Sequence, residues 1–218
     1  MWGLPRGRGA TVLIRALREV GALYGIRLET VDLRPGRGSR ADRGPRGAIP
    51  SAAAAAAVRR RSPGGFRGGT PSPRRVFYCC HGGAHTSVTC AAIHLGLLPA
   101  GTLPSPWEIA RLPRFDRTPG SRLGVPYFMG RDEGGAEVYV LGLGTHRARA
   151  MEAISTVLRL ARIDPSSFVM VDTLPCAGTL VRIGGWMSRR MGLVAPGRAL
   201  AALGVRLRFR GFLAVVQK

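Results

Sequence analysis

The stretch from Val76 to Val88 constrains the fold of this chain more than any other. An apolar run, Val76-Phe77-Tyr78-Cys79-Cys80, leads into His81-Gly82-Gly83-Ala84-His85 and then into Thr86-Ser87-Val88. A strand, a tight glycine turn and a helix in that order begin an α/β unit, and the turn lies where such proteins place an anion pocket. Gly82 and Gly83 let main-chain N–H groups approach a negatively charged ligand, Thr86 and Ser87 add hydroxyl donors, and the helix contributes the positive end of its dipole. His85 is placed to donate to a phosphate or to act as a general acid or base. The same residues also admit an architectural reading, in which the glycines only make a sharp turn, Thr86 caps the helix and His85 bonds to a backbone carbonyl.

The punctuation after this unit is regular. The helix from Thr86 to Leu97 carries Val88, Ala91, Ala92 and Leu95 as its buried stripe. Pro99, Pro104 and Pro106 then break the chain, and Ser105 is an N-cap for a short helix with Trp107, Ile109 and Leu112. Val125 to Gly130 and Ala136 to Gly142 flank the turn-rich Arg131-Asp132-Glu133-Gly134-Gly135, which predicts a β-hairpin. A long helix is expected from Arg147 to Arg162, with Met151, Ile154, Val157, Leu158 and Ala161 inward and Asp164-Pro165 as its stop. Phe168 to Asp172 is a buried strand ending in a carboxylate, and Thr179 to Met191 a further helix. Val205, Leu207 and Phe209 alternate with arginines and predict a half-exposed edge strand. The fold class is therefore α/β: a three-layer-like sandwich with a partly parallel sheet, a P-loop-like strand-turn-helix start and an inserted β-hairpin.

The main domain is expected over residues 76–218. Residues 36–75 form an Arg/Gly/Pro/Ala-rich linker with too little apolar side chain to offset the entropy of ordering, although Ala52 to Arg61 favours a transient helix. Residues 1–35 are a helix-then-strand fragment, with Leu13, Ile14, Leu17 and Val20 at helical spacing, and Ile26, Leu28 and Val31-Asp32 in the strand. Shifting by 140 positions lays Ala10, Ile14, Val31 and Asp32 on Ala150, Ile154, Val171 and Asp172, the pattern expected of the tail of a truncated tandem copy.

The formal charge of +21 raises a nucleic-acid partner, but its distribution weighs against one. Residues 1–75 carry 16 arginines against 4 acids and residues 76–218 carry 17 basic residues against 8, so the excess is densest where the chain is least fold-like. Four cysteines, Cys79, Cys80, Cys90 and Cys176, without a CxxC pair do not make a disulfide framework and fit a reducing cytoplasm. Arg6, Arg8, Arg15 and Arg18 interrupt the N-terminal apolar residues, and no stretch of about 18 apolar residues exists, so no membrane partner is expected.

Several groups invite chemistry beyond the glycine turn. The loop lacks the lysine of a Walker A motif, while Phe168 to Asp172 has the form of a Walker B strand, whose acid helps to hold magnesium when the ligand is a nucleotide. Asp172 is expected to face the loop as a metal or proton partner, or else to cap the turn before Leu174-Pro175. The spacing Cys80-x5-Thr86-Ser87 is similar to the cysteine phosphate loops of low-molecular-weight tyrosine phosphatases and of the IIB subunits of sugar phosphotransferases. In the phosphatases an arginine stands at the place of Thr86, and this chain lacks it; the IIB pattern tolerates Thr-Ser. A Cys80 thiolate would be favoured by the helix N-terminus and by a protonated His81 or His85. Cys90 and His94 lie four apart on one helix, but no paired motif completes a zinc tetrahedron, and no metal site is expected. Met151, Met170, Met187, Met191 and Trp186 are expected in the core.

Five blocks occur in an order that resembles the uncharacterised bacterial family Domain of Unknown Function 3189. They are Cys80-His81-Gly82-Gly83-Ala84-His85-Thr86-Ser87, Ala91-Ala92-Ile93-His94-Leu95-Gly96, Leu112-Pro113-Arg114-Phe115-Asp116, Glu137-Val138-Tyr139-Val140-Leu141-Gly142 and Val171-Asp172-Thr173-Leu174-Pro175-Cys176. The likeness spans residues 76 to about 205, and Ala84 departs from it where a threonine is the expected residue. It implies a cytosolic bacterial protein and no established activity.

The expectation is a domain that binds a phosphate-containing ligand or nucleotide through Gly82, Gly83, His85, Thr86 and Ser87, with His85 and Asp172 as candidate catalytic groups. A non-enzymatic interaction module, its hairpin and basic C-terminal strand contacting protein or nucleic acid, is the alternative. Cys80-dependent phosphoryl transfer is a second.

Overall fold

The computed structural model describes residues 8–28, 58–60 and 73–217. Along the chain these form helix α1 (Arg8–Leu23), strands β1 (Ile26–Leu28), β2 (Val58–Arg60) and β3 (Arg75–Cys80), and helices α2 (Thr86–His94) and α3 (Pro106–Arg111). The hairpin strands β4 (Pro126–Arg131) and β5 (Glu137–Gly142) follow, then α4 (Arg147–Leu160) and β6 (Phe168–Asp172). Helices α5 (Thr179–Arg190), α6 (Val194–Leu207) and α7 (Phe209–Val216) complete the described residues.

The main sheet has the order β4-β5-β3-β6. β3 is central and runs parallel to both β5 and β6, while β4 pairs antiparallel with β5 as the expected hairpin. Strand β3 is an unbroken apolar run because both of its faces are covered, as parallel strands require. Alternation sends Val76 and Tyr78, with Val138 and Val140 of β5, into a core shared with α2, α3, α6 and α7. It sends Phe77 and Cys79, with Tyr139 and Leu141, into a second core against α1 and α4. Each large side chain buried in this way contributes about 2–3 kcal/mol. The result is a three-layer α/β sandwich.

The helices end for local reasons. Ser105 and Glu108 form a capping box that starts α3 at Pro106. α4 stops where Arg162 takes a left-handed conformation (φ 57°), and the Asp164 carboxylate then accepts from Ser166 N–H at 2.9 Å. Within α4, Ile154 and Leu158 lie one turn apart and are both about 1% exposed.

The C-terminal segment corrects the expected edge strand. Val205 and Phe209 belong to α6 and α7, and their burial follows a helical period: Ala201, Val205, Phe209 and Phe212 are buried, while Leu207 is 66% exposed. Five alternating residues were too short a window to separate a period of two from one of 3.6. α6 packs on α5 through small residues. A Cβ on Gly184 would lie 2.5 Å from the Ala201 nitrogen, and one on Gly204 2.8 Å from the Val181 nitrogen, so the two backbones touch.

α1 shares the second core with α4 through Ala16 and Val20, and Ile26 joins them. The two helices related by the 140-residue offset thus cover the same face of the sheet. β1 pairs antiparallel with β2, from Ile26 with Arg60 to Leu28 with Val58. Val58 to Arg60 is therefore a strand rather than part of a helix. The rest of the expected linker up to residue 72, and Val31-Asp32, lie outside the described residues. No helix among the described residues is long and apolar enough to cross a membrane.

Candidate functional site

Cys80 is the last residue of β3, and alternation places it on the α2 side of the sheet. Its Sγ accepts the Gly83 N–H at 3.0 Å and lies 3.2 Å from the Ser87 hydroxyl. Burial, the largest single influence, pushes the thiol up, but donors from the Ser87 hydroxyl and N–H, the Ala84 N–H and the Thr86 hydroxyl together outweigh it and bring the Cys80 pKa below its ordinary value. Cys79, one residue earlier and on the opposite face, has its thiol pushed well up by burial. One step along a strand separates a thiol whose pKa is lowered by donors from one whose pKa is raised by burial.

The loop is shaped by its carbonyls. Leu143 and Gly144 N–H groups donate to the carbonyls of Cys80 and His81, the Thr118 hydroxyl to that of Gly83, and the Asp116 N–H to that of Ala84, each at 2.9 Å. No main-chain carbonyl of the described residues accepts from the N–H of Gly82, Gly83, Ala84 or His85. The loop therefore turns its acceptors into the protein and leaves its donors to the sulfur and the space above it. Gly83 permits this, having φ of 65° and a position where a Cβ would lie 2.8 Å from the Gly142 nitrogen. His85 is the N-cap of α2 and makes no side-chain capping bond, so the capping role foreseen for Thr86 is not the one it has. Thr86 instead receives a hydrogen bond from Thr173 Oγ1 at 3.0 Å, which ties the loop to the end of β6.

Above the loop lies a cleft of about 360 Å³ whose opposite wall is α5. Cys80, His81, Gly82, His85 and Thr86 line one side, and Arg182, Trp186, Arg189 and Arg190 the other, with no carboxylate among the lining residues. The apolar part of the lining is Leu174, Ala177 and Val181. Trp186 is 57% exposed and Met191 53%, which corrects their expected place in the core. The guanidinium of Arg189 sits over Gly82. His81 is held neutral, its pKa lowered first by burial and then by the charges of Arg189 and Arg147.

His85 is held from behind. Its Nε2 bonds Asp116 Oδ1 at 3.0 Å, and Asp116 Oδ2 accepts from the Ser188 hydroxyl at 2.6 Å. The Asp116 side chain is 1% exposed. Burial pushes its carboxyl up, but the bonds from His85 and Ser188 and the Arg189 charge together bring its pKa below the ordinary value. Phe115 packs edge-on against the His85 ring at 5.1 Å, and Arg114 and Asp116 both take left-handed backbone (φ 66° and 55°) to present these two side chains. Its Asp116 bond orients Nε2, and Cε1 and Nδ1 of the ring lie beside Gly185 at the cleft.

The other expected residues are placed as follows. Ser87 is fully buried with its hydroxyl on Cys80. Asp172 lies beside Cys79 in the β3–β6 register, but Arg147 Nε holds its two oxygens at 2.8 and 3.0 Å and the Leu174 N–H donates to it at 3.0 Å. It is not among the residues lining the cleft. His94 bridges the Tyr78 hydroxyl at 2.8 Å and Asp132 at 3.0 Å, a tie from α2 to the hairpin turn. Sequence reasoning did not single out Asp116, Ser188 or the α5 arginines as site residues, although Asp116 stood in one of the five blocks.

Neither a curated protein nor a solved structure matches the chain. A family model does: the one described as "Protein of unknown function (DUF3189)" matches residues 75–218, beginning at the first residue of β3. This chain belongs to that family.

Proposed function

We propose that the cleft between the β3–α2 loop and α5 binds a phosphate-containing ligand. The observation that carries this reading is the pairing of a loop whose Gly82 and His85 N–H groups meet no main-chain acceptor among the described residues with three arginines across a cavity that has no carboxylate in its lining. Guanidinium groups and main-chain amides are the donors that match phosphoryl oxygens. Arg189 and Arg190 have no carboxylate partner among the described residues, whereas Arg182 donates to the Ala177 carbonyl at 3.3 Å. The uncapped start of α2 adds the favourable end of the helix dipole. Because Arg147 occupies Asp172, the arginines rather than a carboxylate-held magnesium supply the counter-charge in this reading.

The cavity is at the small end of ligand pockets, suiting a phosphomonoester or mononucleotide rather than a polymer. Calorimetric titration of the full chain with inorganic phosphate, phosphomonoesters and nucleotides tests it. Binding that weakens in Arg189→Ala and Arg190→Ala is expected. Affinities no tighter than about 1 mM for every phosphate compound overturn the reading.

A further inference from the structure

We propose that Cys80 is a nucleophile that accepts a phosphoryl group from a phosphomonoester in this cleft, with Arg189 clamping the phosphoryl oxygens and His85 protonating the leaving oxygen. The proposal rests on the reading that the cleft holds a phosphate group, and goes beyond it to a reaction.

Three observations from different parts of the chain converge on the sulfur. Cys80 is among the residues lining the cavity, its sulfur receives the Gly83 N–H at 3.0 Å, and the Ser87 hydroxyl stands at 3.2 Å. Donors aimed at a sulfur favour the thiolate, the reactive form. A fully buried serine aimed only at a thiol has no packing purpose that alanine would not serve. The second observation is Arg189, whose guanidinium lies over Gly82 and so above the same loop. It supplies from α5 the planar cation that the loop itself lacks. The third is the buried Asp116, which fixes His85 through Nε2 and leaves Nδ1 as the ring position for exchange at the cleft. A buried carboxylate, an oriented imidazole and a thiol at one cavity form a cluster that the architecture alone does not require.

The step balances as follows. The Cys80 thiolate attacks phosphorus, the S–P bond forms and the P–O bond to the carrier breaks. The departing oxygen takes a proton from His85 Nδ1, while Asp116 holds the ring through Nε2. Water then attacks the phosphocysteine, His85 accepts its proton, the S–P bond breaks, and inorganic phosphate leaves with the thiolate restored. Leu174, Ala177 and the exposed ring of Trp186 give the carrier an apolar wall, which favours an aryl or otherwise apolar phosphomonoester.

The test uses the full chain with 4-nitrophenyl phosphate, phenyl phosphate and an alkyl phosphate, acid quench and intact-protein mass. Expected are phosphate release and an adduct of one phosphoryl group on Cys80. Cys80→Ser should lose turnover by at least about a thousandfold while still binding inorganic phosphate, and Arg189→Ala should lose at least about tenfold in kcat/KM. His85→Asn should slow phosphorylation of Cys80, read as the single-turnover release of alcohol or phenol, far more for the alkyl and phenyl esters than for the nitrophenyl ester, whose leaving group needs no proton, a split that a merely structural role would not produce. Turnover that persists in Cys80→Ser, or phosphate binding with neither adduct nor turnover for any ester, overturns the nucleophile and leaves the binding reading standing. Absence of phosphate binding in the wild type strikes both. Should Cys80→Ser not fold, iodoacetamide labelling of Cys80 in the native chain takes its place: activity that survives complete labelling refutes the proposal.

Discussion

Arg189 and Gly82 are in contact across the cleft: a Cβ on residue 82 would stand 2.9 Å from Arg189 Nη1. The obstacle is the end of a flexible side chain, so Gly82→Ala is expected to fold with little loss of stability and to displace the guanidinium. Phosphate affinity should fall about tenfold, measured by calorimetry. Gly83→Ala is the contrasting case, because a Cβ there meets the Gly142 backbone at 2.8 Å and φ is 65°. It should cost at least about 2 kcal/mol, measured by urea unfolding.

The charges on α5 act together. Arg189→Ala and Arg190→Ala should each weaken phosphate binding about tenfold, with the wild-type affinity itself falling as salt rises. An affinity indifferent to salt would place the ligand elsewhere.

Asp116 provides a pH signature. Its pKa in the folded chain is lowered, so its stabilising contribution is present above the ordinary Asp value near 4 and is lost as pH falls through the folded value. Asp116→Asn should be less stable than wild type by about 2 kcal/mol at neutral pH, lowering Tm by about 4–8 °C. The gap should narrow below about pH 4. Thermal melts of the two proteins across this range measure it.

Iodoacetamide should discriminate among the cysteines. The Cys80 pKa is lowered, so the thiolate persists to lower pH and its alkylation should reach half its plateau below the ordinary value of about 8.5. Ser87→Ala removes one donor and should move that midpoint upward. Cys79, pushed up by burial, and Cys90, pushed up by the neighbouring Cys176 and by burial, should remain unlabelled in the native chain. Peptide mapping of labelled protein reads all three.

The glycine seam between α5 and α6 sets where the arginines stand. Gly184→Val forces side-chain atoms against the Ala201 and Gly197 backbone, where even a Cβ would lie at 2.5 Å, and should cost about 3 kcal/mol. Phosphate affinity should drop with it, because α5 cannot keep its distance from the loop.

The strand-turn-helix from Arg75 to His94, the hairpin, α4 and β6 were legible because each is written in short-range periodicity and bounded by Gly, Pro or a cap. The loop residues Gly82 to Ser87 were legible for the same reason. Val205 to Phe209 was misread because a five-residue alternation carries too little phase information, and the helical set Ala201, Val205, Phe209 and Phe212 appears only over a longer window. Trp186 was assigned to the core on apolar character alone, which does not say which face of an amphipathic helix a residue occupies.

From its order of residues alone the chain settles the central strand, the glycine bend and the helix that follows, since backbone sterics and hydrophobic alternation act over a few positions. The companions of that bend were settled only by packing. Asp116 reaches His85 from 31 positions away, and Arg189 reaches Gly82 from a helix placed by backbone contact with α6. On α5 alone, Arg189 is indistinguishable from an arginine on a solvated face. It overhangs the loop because close helix packing fixes α5 beside the carboxyl ends of the strands, and no local pattern encodes that distance.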